Sequence, residues 1–185
     1  LETAIMNAQS PYAASKVAAD QLALSFYKSY KLPVTILRPF NTFGPRQSAR
    51  AIIPTIITQN LKNKTLKLGN LKPTREFNFV EDTVAAYVAA INNKKCLGEF
   101  INIGNSFDVS IGKLVNIING IMNKDNKIII EKKRARVKDS EVMKLKSSNI
   151  KAKKILNWKP KYVGLKGLTN GLEKTINWFE DDKNL

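Results

Sequence analysis

The sequence predicts an α/β protein, and three observations support this class. A helical pattern of apolar residues runs from about residue 11 to residue 30, and a β-branched run at residues 34–37 follows it directly. Further short apolar runs then alternate with helical patterns along the rest of the chain. Because residues 34–37 have no polar face, we expect a parallel strand that is covered on both sides.

The composition is that of an ordinary globular protein, since 43% of the 185 residues are apolar and 25% are charged. This length supports one core but is short for two full domains. No apolar stretch approaches the roughly 18 residues of a membrane span, and no basic segment followed by an apolar one opens the chain. We therefore expect a soluble, cytoplasmic protein with no membrane contact.

The side chains available for chemistry are restricted. The chain has no histidine, which removes the commonest general base and zinc ligand, and its single cysteine, Cys96, excludes an internal disulfide. We expect no metal site. Chemistry must therefore use tyrosine, lysine, arginine, asparagine and carboxylates.

The formal charge of +16 raises the possibility of nucleic-acid binding. The lysines, however, are scattered along the chain, and aromatic residues do not alternate with basic ones as they do on a stacking platform. We interpret most of the excess charge as solvated surface, with a minority of arginines gathered around a polyphosphate ligand. Nucleic acid is not an expected partner.

The stretch Ser-Pro-Tyr-Ala-Ala-Ser-Lys at residues 10–16 carries a candidate acid/base pair. Ser10 and Pro11 suit the start of a helix, which places Tyr12 and Lys16 four residues apart on one helix face. An ammonium within ~4 to 6 Å lowers the pKa of a phenol from its ordinary value near ~10. Tyr12 is thus a candidate proton shuttle that Lys16 tunes, although such a spacing also arises by chance in surface helices.

The segment Arg-Pro-Phe-Asn-Thr-Phe-Gly-Pro-Arg at residues 38–46 follows the first predicted strand. In open α/β sheets ligands bind at the carboxyl ends of strands, and Asn41 and Arg46 offer hydrogen-bond donors there. The alternative is a simple turn after a strand that ends in Arg38.

The remaining chain predicts further elements. Glu81 and Asp82 open one helix, and we interpret their carboxylates as helix caps rather than catalytic groups. Ser110 is expected to cap another helix. Helices are predicted at about residues 52–63, 81–92 and after 110, with two more between 147 and 185, and strands at 66–69, 74–80, 98–104 and 128–131.

Several of these motifs resemble one known family. The run SPYAASKVAADQLALSFYKSY resembles the active-site helix of the extended short-chain dehydrogenase/reductase superfamily (the NAD-dependent epimerase/dehydratases), whose mark is Tyr-x-x-x-Lys. The run TREFNFVEDTVAAY resembles the family's arginine-aspartate-aromatic strand, with Glu76 in place of the usual aspartate. A basic cluster at residues 132–136 stands where the family commonly has Arg-Pro-Gly-Asp, and Val137 replaces the proline.

The resemblance implies a role for each candidate residue. Tyr12 and Lys16 would be catalytic and would contact NAD together with Phe40. The nucleotide-sugar substrate would be bound by a second group, consisting of Asn41, Arg46, Arg75 and Arg136.

Within the superfamily, the long run from residue 10 to residue 58 most resembles the nucleotide-sugar 4,6-dehydratases that act on GDP- or UDP-linked N-acetylglucosamine in legionaminic acid synthesis. This implies a hydride cycle on the sugar, in a pathway to cell-surface polysaccharide. A 4-epimerase or a UDP-glucuronate decarboxylase of the same superfamily remains open. So does a non-catalytic remnant that binds a nucleotide or a partner.

The implied fold is the C-terminal part of a Rossmann-like parallel sheet with an interleaved small α/β substrate-binding domain. Residues 1–50 would end the NAD-binding domain, and residues 51–185 would form mainly the substrate-binding domain, with about 75–104 returning to the Rossmann part. No Gly-x-x-Gly-x-x-Gly follows a first strand here. We therefore expect an inactive fragment that lacks the cofactor-binding half of a protein, the full-length form being a homodimer through the active-site helix.

Overall fold

The computed structural model describes residues 1–131, 133 and 141–181. The predicted α/β class is confirmed by a chain in which helices alternate with short strands. The helices are α1 (Pro11–Tyr30), α2 (Ile52–Lys62), α3 (Val80–Ile91), α4 (Ile111–Ile121), α5 (Ile150–Leu156) and α6 (Gly164–Glu180), with a 3-10 turn at Lys94–Cys96. The strands are β1 (Ile36–Pro39), β2 (Thr42–Phe43), β3 (Thr65–Leu68), β4 (Thr74–Glu76), β5 (Asn78–Phe79), β6 (Phe100–Ile103), β7 (Asp108–Ser110), β8 (Lys127–Ile130) and β9 (Lys144–Leu145).

Most strand pairs are parallel, as the sequence predicts. The pairs β1–β6, β2–β5 and β3–β8 are each parallel. Strand β4 lies between β7, which is antiparallel to it, and β9, which is parallel. Parallel neighbours need crossover connections, and the helices of the chain supply them.

Helix α1 begins and ends as its sequence predicts. The Ser10 hydroxyl oxygen accepts a hydrogen bond from the Ala13 N–H at 3.1 Å, Pro11 occupies the first turn, and Lys31 ends the helix in the left-handed region. The Asp20 carboxylate pairs with Arg38 of β1 at 2.7 Å. A Cβ on Gly98, just before β6, would overlap the Tyr27 ring, so this ring packs directly on the backbone there.

The packing of α1 is looser than its apolar pattern predicts. None of its residues, all of which are described, is buried. Leu22, Phe26 and Tyr30 expose 61%, 42% and 76% of their surface. The helix therefore carries an uncovered apolar face.

Two predicted strands differ from the structure. The first begins at Ile36 instead of residue 34, because the Val34 carbonyl accepts from the Gly98 N–H and the Thr35 hydroxyl donates to the Cys96 carbonyl before the ladder begins. Its burial falls from buried Ile36 to exposed Pro39, so it is not covered on both sides along its length. The strand predicted at 74–80 is split at Phe77, because β4 pairs with β7 and β9 whereas β5 pairs with β2.

The described residues form two apolar clusters in the interior. The larger joins β2, β3 and β5 to α2, α4 and α6, and includes the edge-to-face rings of Phe43 and Phe79. The smaller joins β6 to α3 and α5, and contains Ala86, Cys96 and Trp158. The domain boundaries suggested by the resemblance stay a prediction.

Glu81 and Asp82 lie in the first turn of α3 as predicted, but the interpretation of their carboxylates as helix caps is wrong. In the described chain no side chain caps α3. The buried Asp82 carboxylate instead accepts hydrogen bonds from the backbone N–H groups of Lys161 and Tyr162 at 2.8 and 2.9 Å. It anchors the segment that leads into α6, a long-range contact that local sequence does not show.

Glu81 forms an exposed network with α6. Its carboxylate accepts from Lys174 at 2.8 Å and from the Tyr162 hydroxyl at 2.9 Å. The hydrogen bond from Lys174, followed by that from Tyr162, lowers the pKa of Glu81 below its ordinary 4.5. The same hydrogen bond, followed by that to Tyr162, raises the pKa of Lys174 to about 12.

Candidate active site

The direction of α1 places the candidate acid/base pair at the carboxyl end of β1. Tyr27, late in the helix, packs beside Gly98 before β6 begins, whereas Asp20 pairs with Arg38 near the end of β1. The helix therefore runs antiparallel to the strand. Residues that precede Asp20, including Tyr12 and Lys16, lie towards the edge where parallel sheets bind ligands.

Tyr12 and Lys16 form a close, accessible pair. The Lys16 ammonium nitrogen lies 5.6 Å from the centre of the Tyr12 ring, and the Tyr12 side chain is exposed. The Ser15 hydroxyl donates to the Tyr12 carbonyl at 2.8 Å, so it is used within the helix. The geometry provides an ammonium beside a phenol, and proton transfer through Tyr12 stays a prediction.

The loop after β1 is held by amide side chains. The Asn41 side-chain N–H donates to the Glu76 carbonyl at 2.8 Å. The buried Asn78 amide donates to the carbonyls of Phe40 and Ile103, at 3.3 and 3.1 Å, so it joins the ends of β1 and β6. Asn78 was missed by the sequence interpretation, which treated its segment as one uninterrupted strand.

A cleft of about 440 Å³ opens beside this loop. Of the described candidates, Asn41 and Arg75 line it, whereas Tyr12, Lys16, Phe40 and Arg46 do not. Further polar residues line it that the sequence interpretation missed, because they come from separate segments: Gln47, Arg50, Lys67, Asn70 and Glu141.

The cleft has a cationic lining. Three of the described lining residues are cations, namely Arg50, Lys67 and Arg75, against one carboxylate, Glu141. An Arg75 guanidinium nitrogen lies 3.5 Å from Glu141, and both side chains are 13% exposed. Another donates to the Thr74 carbonyl at 2.8 Å. Guanidinium groups held in this way suit a ligand that carries phosphates.

Two predicted site residues, Arg46 and Phe40, are described and do not line the cleft. Arg46 is exposed and occupies a turn with φ of 65°, outside the cleft lining. Phe40 is half-buried, and its backbone N–H donates to the Ile103 carbonyl at 3.0 Å. Arg136 lies outside the described residues.

Neither a membrane-spanning helix nor a metal-binding cluster is present among the described residues. Each helix there is too short or too polar to span a bilayer. In the same part of the chain, no group of three or more cysteine and acidic side chains is placed to hold a metal ion.

The fold and the site define a Rossmann-type α/β protein with a Tyr-x-x-x-Lys helix and a cationic cleft near the carboxyl end of its strands. The chain belongs to the GDP-mannose 4,6 dehydratase family, whose model matches residues 1–170. The resemblance to the NAD-dependent epimerase/dehydratases is thereby confirmed.

Two 4,6-dehydratases are similar to this chain. A human dTDP-D-glucose 4,6-dehydratase is 31% identical over 94% of this chain and 49% of its own. The chain superposes on a dTDP-glucose 4,6-dehydratase from Bacillus anthracis, solved with NAD, with a TM-score of 0.88, 29% identity, and coverage of 99% of this chain and 56% of that one.

A second solved structure represents another reaction. A UDP-glucuronic acid 4-epimerase from Bacillus cereus, in complex with UDP-glucuronic acid and NAD, gives a TM-score of 0.83 at 29% identity, covering 93% of this chain and 53% of that one. The chain thus spans about half the length of each of these three proteins.

Proposed function

We propose that the chain is the proton-transfer and substrate-binding part of an NAD-dependent nucleotide-sugar 4,6-dehydratase. The observation that carries this proposal is the cationic cleft lined by Asn41, Arg50 and Arg75, which lies by the loop after β1. The Tyr12–Lys16 pair lies towards the same edge of the sheet. A cleft that binds the diphosphate and a group that takes the 4-hydroxyl proton are two of the parts that such a reaction requires.

The substrate's diphosphate would be held by the cleft. Arg75, Arg50 and Lys67 would supply positive charge, while Asn41 is fixed on the cleft wall by its bond to the Glu76 carbonyl. The cleft would thereby anchor the diphosphate of the substrate, and the sugar would extend out of the cleft. We further propose that the sugar is an N-acetylglucosamine linked to GDP or UDP, on the basis of the motif resemblance.

Tyr12 would take the proton of the sugar 4-hydroxyl, and the Lys16 ammonium would stabilise the resulting phenolate. The carboxyl-end position and the open face of Tyr12 fit a flat cofactor ring, so Tyr12 and Lys16, together with Phe40 directly after β1, are the residues that would hold NAD. When bound, NAD would supply the hydride acceptor for oxidation of the sugar and the hydride donor for its later reduction.

The pyrophosphate of NAD is bound by backbone N–H groups, which a Gly-x-x-Gly-x-x-Gly turn commonly supplies. The 185 residues contain no such sequence. Glycines 164, 167 and 171 have a related spacing but lie on α6. A Cβ on Gly171 would come within 2.9 Å of the Phe43 and Phe79 rings, so this glycine serves packing. We propose that another part of the complete protein supplies the cofactor cradle, and that the 185 residues alone are inactive.

The test is binding and turnover by the protein expressed from the full reading frame. UDP, GDP and dTDP are titrated by calorimetry, and the nucleotide sugars are assayed for a 4-keto-6-deoxy product. We expect Arg75→Ala to weaken nucleoside diphosphate binding by about 1.5 to 3 kcal/mol, the scale of a charge-assisted hydrogen bond, with NAD affinity unchanged. Equal losses for both ligands, or no binding by the wild type, would refute the proposal.

The same assay distinguishes the alternative reactions. Epimerisation is favoured by the likeness to the Bacillus cereus epimerase, and it would yield a 4-epimer without loss of water. Binding of a nucleoside diphosphate with no turnover would instead support a non-catalytic binding protein.

A further inference from the structure

Glu76 places a carboxylate in the interior directly behind the cleft. Its side chain is fully buried, with 0% exposure. One of its oxygens accepts from the Ser147 N–H at 2.5 Å, and the other from the Ser147 hydroxyl at 2.7 Å and the Ser106 N–H at 3.0 Å. Because a buried carboxylate is costly unless it is hydrogen-bonded, these contacts are required for it to remain there.

These hydrogen bonds join three segments. Glu76 ends β4, Ser106 follows β6, and Ser147 lies two residues beyond β9. Gly104 leaves room for the junction, since a Cβ there would overlap both the Glu76 carboxylate and the Ser147 hydroxyl. The Asn149 side-chain amide adds a further hydrogen bond to this junction by donating to the Gly104 carbonyl at 2.8 Å.

The same junction supports the lining of the cleft. Successive side chains of a strand point to opposite faces, so Arg75 reaches the cleft while Glu76 reaches the interior. The Glu76 carbonyl accepts the Asn41 amide, and β9, which pairs with β4, connects Ser147 to Glu141. Three residues that line the cleft are therefore connected to Glu76. Arg75 precedes it in β4, Asn41 donates to its carbonyl, and Glu141 lies on the segment that Ser147 joins to its carboxylate.

We propose that Glu76 is a positioning residue of the cleft. Its carboxylate holds the 144–147 segment against β4 and so sets the separation of Arg75 and Glu141, while its carbonyl orients Asn41. A glutamate is needed because its side chain is long enough to accept hydrogen bonds from two segments, at Ser106 and Ser147, that approach β4 from different sides. The ligand-binding part of this inference rests on the proposed function.

The first test follows backbone hydrogen exchange in the 185-residue chain without ligand. Glu76→Gln keeps the size of the side chain but replaces one carboxylate oxygen with an NH2 group. This group is a donor, so it cannot accept the hydrogen bond from the N–H that faces it. We expect exchange in peptides 104–108 and 141–148 to accelerate by about tenfold, with α6 unchanged, from the loss of hydrogen bonds to a charged group. Glu76→Asp, which is one methylene shorter, should accelerate the same two peptides.

Two further variants control for a purely structural effect. Thr175→Val removes a buried hydrogen bond to the Gly171 carbonyl, at a residue that does not line the cleft, and should accelerate α6 without affecting residues 141–148. Ser147→Ala removes one of the Glu76 bonds and keeps the others, so it provides a milder variant that folds if Glu76→Gln does not. A uniform change, or no change, in the Glu76 and Ser147 variants would overturn the inference.

The second test measures UDP affinity in a double-mutant cycle on the protein from the full reading frame. Glu76→Gln should weaken UDP binding by about tenfold, and Glu76→Gln combined with Arg75→Ala should bind no more than about twofold worse than Arg75→Ala alone. Additive losses would show that Glu76 does not act through Arg75. If the wild type binds no nucleoside diphosphate, the proposed function fails, and the exchange pattern alone decides whether Glu76 holds the 144–147 segment.

Discussion

Tyr12 is the residue on which the proposed reaction depends most directly. In the protein from the full reading frame, Tyr12→Phe should lower turnover by ~10² to 10⁴, the usual contribution of a positioned general base, with little change in substrate affinity. Steady-state kinetics and calorimetry measure the two quantities. Unchanged turnover in a folded variant would remove Tyr12 from the reaction.

At the level of single residues, the sequence identified part of the cleft. Asn41 and Arg75 were found because each lies in a short recognisable motif, and both line the cleft. Gln47, Arg50 and Glu141 were missed because they converge through tertiary packing, which neither spacing nor periodicity records. Arg46 does not belong to the described lining of the cleft, and its role in substrate binding stays a prediction.

At the level of elements, Asp82 connects α3 to the segment before α6. Asp82→Ala leaves the N–H groups of Lys161 and Tyr162 without their buried acceptor, so we expect a loss of about 3 kcal/mol in the free energy of unfolding. For a chain of this size that corresponds to a fall of about 6 to 12 °C in Tm, measured by thermal denaturation. Glu81→Ala, one position earlier and exposed, is the control and should lose much less.

The exposed network of Glu81 and Lys174 predicts a pH dependence. The lowered pKa of Glu81 means that its stabilising contribution is present above pH 4.5 and is lost as the pH falls through its folded value. The raised pKa of Lys174 means that its contribution is present below pH 10.5 and is lost as the pH rises through about 12. Wild-type and Glu81→Gln chains should therefore differ in Tm at pH 7 and converge below pH 4.5. A constant difference down to pH 3 would contradict this assignment.

Whether a segment forms a helix or a strand was easier to predict from the sequence than the strands with which it pairs. The caps at Ser10 and Ser110 act as predicted, because each accepts a hydrogen bond from an N–H only three residues ahead. The break at Phe77 was missed because it depends on which strands flank β4 and β5. Local pattern fixes a helix or strand, whereas a change of partner depends on residues far away in sequence.

At the level of the whole molecule, the uncovered face of α1 fits the expected homodimer. Phe26 is 42% exposed on a helix that buries none of its residues. Phe26→Glu should convert a dimer of the full protein to monomer in sedimentation velocity, because a carboxylate would be desolvated in an apolar contact. Gln21→Glu, at an exposed polar position on the same helix, introduces the same charge and should leave the dimer intact. A wild type that is monomeric throughout would refute the dimer proposal.

The smaller apolar cluster contains Cys96, the one thiol of the chain, which is 0% exposed and donates to the Asn93 carbonyl at 2.8 Å. A maleimide can react with this sulfur only when the packing between β6, α3 and α5 opens, so the labelling rate under native conditions reports the opening free energy of that cluster alone. Circular dichroism in denaturant reports the whole chain. Equal free energies would mean that the two clusters unfold as one cooperative unit, and a lower value from labelling would mean that the sheet beside α1 opens while the cleft remains folded.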